Sequence, residues 1–221
     1  MLSYIELLLA TEVTQDKITT IKVVSVGDKC SGKTQILIAI NGPYPDINFP
    51  KELYDFPEKT VCSEGKIYTL LLWQTTGQED YDRLRPVTYP QTDVFLVCFS
   101  IDNPSTIENA FKKWVPEIQH HCPKTPFLLV GTKNNVNDLT KDQKPREELS
   151  SFKNNSINKE ELLLRGKKLN AFDYIECCAV KNEGIESLID KIILAAISPS
   201  KQKGEKSKMT KDKEQKNCSL Q

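Results

Sequence analysis

The sequence predicts an α/β domain, a doubly wound and mostly parallel sheet with a phosphate-binding loop at its first strand-to-helix turn. Three observations carry this. Apolar runs at 21–26, 67–73, 94–99 and 127–130 are nearly continuous rather than alternating, as in strands covered on both faces. Segments with helical spacing separate most of them. Between the first run and the first helix lies Gly27-Asp28-Lys29-Cys30-Ser31-Gly32-Lys33-Thr34, a match to G-x-x-x-x-G-K-[ST] in its required context.

Each element has its own signal. The run Ile21 to Val26 reads as the first strand, and Gln35 to Ile40 as the helix behind the glycine loop. Asn41 to Thr60, with prolines at 43, 45, 50 and 57, reads as a long loop whose latter part follows a sheet edge. Ser105 and Thr106 are the expected caps of a helix carrying Ile107, Ala110, Phe111, Trp114 and Ile118, with Pro116 limiting its last turn. Residues 134–158 are polar and carry no strand signal; 145–149 suit a short exposed helix. Lys159 to Leu169 reads as helix and Tyr174 to Cys178 as the last strand. A final helix from Ile185 to Ile197 turns Ile185, Leu188, Ile189, Ile192, Ile193 and Ala196 to the core. Right-handed crossovers then place a ligand site at the carboxyl ends of the strands.

Composition narrows the class. With 30 basic and 30 acidic residues in 221, bulk charge gives no footprint for nucleic acid. Seven cysteines without a C-x-x-C pair argue against a disulfide framework or a zinc site and read as reduced thiols. His120-His121-Cys122 reads as loop sequence before a strand, and neighbouring Cys177 and Cys178 point to opposite faces of one. Residues 1–20 read as an extension, since Glu6 interrupts the short apolar patch and no basic residue precedes it.

The glycine loop wraps backbone N–H groups around phosphates; Lys33 reaches the terminal phosphates and the Thr34 hydroxyl suits Mg²⁺. From Gln78 to Ser100, through Lys113 to Pro123, and at Val130-Gly131-Thr132-Lys133 and Tyr174 to Ala179, the chain resembles the Rho/Rac branch of the Ras-like small GTPases. The resemblance covers 21–197, and the polar stretch near 136–153 looks like that branch's insert helix. It implies a guanine-nucleotide switch that binds GTP or GDP with Mg²⁺ and orders two loops for Rho-type effectors and exchange factors. By this resemblance Gln78 orients the attacking water. Gly27 to Thr34, Gly77, Thr132, Lys133, Asn135, Cys178 and Ala179 hold nucleotide, and Tyr54, Asp55, Tyr81, Arg83 and Leu84 form partner surface.

Four positions depart from the family pattern. Lys29 replaces the small residue beside the γ-phosphate, where a side chain crowds the glutamine and an arginine finger. Glu52, or Lys51 in a shifted alignment, stands where the switch-one threonine touches Mg²⁺; a glutamate could itself ligate the metal. The family's D-x-x-G is Gln74-Thr75-Thr76-Gly77, so the carboxylate holding the metal's water shell is a neutral amide. The base-reading T-K-x-D is Thr132-Lys133-Asn134-Asn135, a mismatch at one guanine edge worth about 2–4 kcal/mol, or very roughly 30- to 1,000-fold.

From Ser198 the chain turns lysine-rich and ends Cys218-Ser219-Leu220-Gln221, a loose C-a-a-X whose final Gln points to farnesylation. One prenyl chain plus a basic tract suffices to hold an anionic membrane surface. The expected protein is a Rho-like switch at the cytoplasmic face of membranes and partly cytosolic, of cytoskeletal or trafficking type, with weak hydrolysis. The alternative is a pseudo-GTPase adaptor that binds partners independently of nucleotide. An ordinary active GTPase with Glu52 as metal ligand is a third reading.

Overall fold

The computed structural model describes residues 19–42, 56–132 and 158–198. Six strands form one sheet: β1 (Thr19–Val26), β2 (Lys59–Ser63), β3 (Lys66–Gln74), β4 (Val94–Ser100), β5 (Phe127–Thr132) and β6 (Asp173–Cys177). Their order is β2-β3-β1-β4-β5-β6. Only the β2–β3 pair is antiparallel. The edge run anticipated at the end of the long loop is therefore β2, turning back on β3 through Glu64 and Gly65, both at positive φ.

Alternate residues of each strand serve opposite faces, because successive side chains leave a strand on opposite sides. Val94, Leu96 and Cys98 join the core beneath α1 (Lys33–Asn41) and the last helix, α4 (Ile185–Ile197). Phe95, Val97 and Phe99 join the opposite core beneath α2 (residues 104–121) and α3 (Lys159–Lys168). All seven residues of β4 are buried, which is why that stretch shows no alternation. On α4, Ile189 and Ala196 pack partly buried against the α1/α4 core, as expected, and Ala195 joins it as well.

The helix α2 runs Pro104–Asn109 as α-helix, Ala110–Trp114 as a π turn and Val115–His121 as α-helix again. Two expectations are corrected here. Asn103, not Ser105 or Thr106, is the N-cap: its side chain accepts from the Ser105 N–H at 3.1 Å. The Thr106 hydroxyl instead accepts from the Ser100 N–H at 3.0 Å, pinning the helix start to the end of β4. Pro116 does not limit the last turn. It lies in the first turn of the Val115–His121 segment, immediately after the π turn, where no intrahelical donor is needed. Replacing Asn103 by alanine is expected to cost about 0.5–2 kcal/mol in a urea titration, the loss typical of an N-cap.

Among the described residues no helix is long and apolar enough to cross a membrane. The His121 ring packs edge-on against Tyr89, and the Cys122 thiol points to the Tyr89 carbonyl at 3.7 Å, so that trio is tied into the α2 core. Cys177 lies in the α1/α4 core, and burial pushes its thiol up to about 12.

Candidate functional site

The parallel strands β1, β4, β5 and β6 all end at one edge of the sheet, and the chain reverses its direction of growth at β1. That is the topological switch point of an open α/β sheet. The loop leaving β1 is built for close approach. Gly27 has φ 147°, and a Cβ there would lie 2.2 Å from the Cys98 carbonyl oxygen. Gly32 caps α1 at φ 81°, where a Cβ would meet Thr132 Oγ1 at 2.7 Å. Cys30 adopts the left-handed region as well, at φ 63°, and is exposed beside exposed Lys29. Buried Ser31 is held from β5, its carbonyl accepting from Thr132 Oγ1 at 3.0 Å.

Lys33 is buried inside this loop. Its ammonium donates to the Gly27 carbonyl at 2.7 Å and the Asp28 carbonyl at 2.6 Å; among the described residues the third donor has only Ser31 Oγ, at 3.3 Å. Two strong bonds aim the group and the weakest remains exchangeable for a phosphate oxygen. Burial lowers its pKa to about 8, a shift that the charge of Arg85 reinforces. A bound phosphate would oppose the shift. Thr34, half-buried, occupies the next position of α1 with Lys33 in the helix's first turn.

Gln74 ends β3 beside Ser25 of β1. Its Oε1 is buried and lacks a hydrogen-bond partner within the described residues. A neutral oxygen left over next to a phosphate loop suits a water of a metal's shell, but with less charge than a carboxylate. The segment that follows is locked: Thr75 Oγ1 donates to the Ser25 carbonyl at 2.6 Å. A Cβ on Gly77 would lie 2.5 Å from the Gly27 carbonyl oxygen and 2.6 Å from the Lys29 nitrogen. Only glycine fits between this segment and the phosphate loop.

Gln78 is exposed, with its N–H on Thr76 Oγ1 at 3.3 Å. Tyr81, Arg83 and Leu84 are exposed around two 3₁₀ turns, Glu79–Tyr81 and Arg85–Thr88, joined outside by Val87. At the far side of the site, Cys178 exchanges both backbone bonds with Glu183, and Ala179 accepts from the Asn182 N–H. The turn they form follows β6 at the same sheet edge as the phosphate loop. Lys133 and Asn135, Lys51 and Glu52, Tyr54 and Asp55, the stretch near 136–153 and Cys218 lie outside the described residues.

Two features escaped the sequence reading. Asp28 contributes its backbone to the loop, but its carboxylate accepts from Trp114 Nε1 and Asn109 Nδ2, each at 2.7 Å. Arg85, next to the residues singled out, is the buried one: it donates to the carbonyls of Thr76 and Gln78 and to both oxygens of Glu117. Its partner Glu117 lies 32 positions away in sequence, so no local pattern marks that pair.

A glycine loop at the switch point, a lysine aimed by two carbonyls and a helix starting at its base define a phosphate-loop nucleotide-binding protein. The family model for the Ras family matches residues 22–198, and the chain belongs to that family. Membership makes it a small GTPase by class, with guanine nucleotide and Mg²⁺ as the ligands of the family. The phosphate loop fits such a nucleotide. For the metal, Thr34 and Gln74 would supply only neutral oxygens.

Proposed function

We propose that the chain is a Rho-like guanine-nucleotide switch whose own GTP hydrolysis is weak. The carrying observation is the aimed ammonium of Lys33 in an intact glycine cradle, which supports retained phosphate binding. Around it the chemistry of turnover is thinned. Gln74 brings an amide where the family has a carboxylate. Lys29 is exposed, and its backbone nitrogen packs against Gly77, the residue before Gln78. The Rho-branch assignment rests on the sequence resemblance of the Gln78–Ser100 and Lys113–Pro123 segments and on the stretch near 136–153. In this reading Tyr81, Arg83 and Leu84, with Tyr54 and Asp55, meet effectors and exchange factors. Prenylated Cys218 with the lysine tract would hold the protein to anionic membrane at the cytoplasmic face.

The test is to purify the full chain without added nucleotide, denature it and identify the released ligand by chromatography. Stoichiometric GTP supports a switch held on by slow hydrolysis, and GDP means that turnover survives. A folded protein carrying neither favours the second reading, a partner-binding adaptor. That reading draws on the internal bonds of Arg85 to the Thr76 and Gln78 carbonyls and to Asp82, which hold this segment from within the protein.

Gln74→Asp restores a carboxylate at the end of β3. It is expected to slow nucleotide release in Mg²⁺ by about 10- to 100-fold, the usual weight of groups that hold a metal's outer shell. Release of a fluorescent GDP analogue, measured with Mg²⁺ and with chelator, checks this; the variant should differ from the parent only when the metal is present.

A further inference from the structure

Asp28 stands in the phosphate loop, yet both oxygens of its carboxylate are spent on α2. Oδ1 accepts from the indole N–H of Trp114 and Oδ2 from the amide of Asn109. Trp114 is buried, and the guanidinium of Arg85 lies over its ring, 4.5 Å from the centroid. Arg85 in turn donates to the Thr76 carbonyl at 2.8 Å and the Gln78 carbonyl at 3.1 Å, the residues on either side of Gly77. It is anchored in the other direction by both oxygens of Glu117 and by Asp82. An unbroken set of contacts thus runs from the phosphate loop, through one indole, to the backbone that carries Gln78. Gly77, packed against Gly27, Asp28 and Lys29, closes the circuit.

We propose that Asp28 is a positioning residue that couples the phosphate loop to the Gln78–Leu84 surface through Trp114 and Arg85. The inference rests on the nucleotide-switch reading. Indole has a single donor, and Trp114 is buried; displacing half-buried Asp28 from α2 would leave that donor without its acceptor. The planar guanidinium has its donors committed on several sides, so Arg85 cannot follow one partner without straining the others. A ligand that stiffens the loop therefore stiffens residues 76–84 without touching all of them. By linkage, a partner that grips Tyr81 and Leu84 changes nucleotide retention.

Hydrogen exchange on the full chain, stripped of nucleotide and then with Mg²⁺ and GDP, tests the proposal. In the stripped protein Asp28→Ala and Trp114→Phe are each expected to speed exchange at Gln78 to Leu84 by about tenfold, the weight of one bond to a charged group. β4 and β5 serve as the folding control and should stay as in the parent. Asp28→Asn keeps an acceptor for the indole but loses the charge and turns its amide N–H toward that of Asn109, so it should fall between the parent and Asp28→Ala. Unchanged exchange at 78–84 in both disruptive variants overturns the proposal. With GDP, the parent should gain protection at 27–34 and at 78–84, and Trp114→Phe at 27–34 alone; equal protection of both segments in that variant also overturns it. If GDP protects neither segment of the parent, the nucleotide reading falls, while the comparison of stripped proteins still decides the coupling.

Discussion

Replacing Arg85 by alanine is expected to destabilise the domain by about 3–5 kcal/mol, a large share of the roughly 5–15 kcal/mol that holds a domain of this kind together. The side chain of Arg85 is fully buried and that of Glu117 is 16% exposed. Arg85 Nη1 donates to both Glu117 oxygens, at 2.9 and 3.1 Å. Removing the guanidinium leaves the Glu117 carboxylate with the Tyr89 hydroxyl as its remaining partner among the bonds described, takes the Thr76 carbonyl's donor away and leaves the Gln78 carbonyl with the Tyr81 N–H alone. An exposed pair would cost little, because water and salt would replace the partner. Here the desolvation is already in place, so the loss is that of an uncompensated buried charge. Arg85→Lys keeps the charge but not the fork, and should fall between the parent and alanine. Urea denaturation followed by far-ultraviolet circular dichroism measures both; a cost below about 1 kcal/mol for alanine would show that water screens this network.

Nucleotide affinity is expected to fall as pH rises through 8. With its pKa lowered to about 8 by burial, Lys33 is fully charged at pH 6.5 and largely neutral at pH 9. Phosphates bind the ammonium and raise its pKa in the complex. Below pH 7 both free and bound protein are protonated, so affinity is flat. Above 8 the free protein must take up a proton on binding, and the dissociation constant rises by up to about tenfold per pH unit until the bound pKa is reached. Titrations from pH 6.5 to 9 in buffers of different ionisation enthalpy would register this as proton uptake. Lys33→Met should bind weakly, without that uptake. A pH-independent affinity in the parent would mean that the loop carbonyls of Gly27 and Asp28 keep Lys33 charged throughout.

Local chemistry made much of the site legible in advance. Gly27, Gly32 and Lys33 are informative because each answers a local demand: a close backbone approach, a left-handed helix cap, a charge at the end of a flexible stem. The roles of Asp28 and Arg85 were not legible. An acidic residue in a phosphate loop reads as part of the loop, and its turn toward α2 depends on Asn109 and Trp114, more than 80 positions away. The cap of α2 was misplaced by two or three residues because Asn103, Ser105 and Thr106 are all competent, and only the anchor of Thr106 to Ser100 decides between them. Pro116 read as a stop because a proline opposes an interior helical bond; the π turn before it renews the helix start and removes the conflict.

The sequence by itself determined the order of strands and helices, the phosphate loop and the chemical departures at Lys29 and Gln74, because periodicity, turn chemistry and residue type are local properties. Tertiary structure decided which polar groups meet. It paired Asp28 with Trp114, buried Arg85 between Glu117 and the Thr76–Gln78 backbone, and left Gln74 Oε1 without a hydrogen-bond partner among the described residues. Those outcomes follow from how the sheet and α2 bring distant segments together, and burial then sets their strength, since a polar group shielded from water depends wholly on the partner the fold supplies.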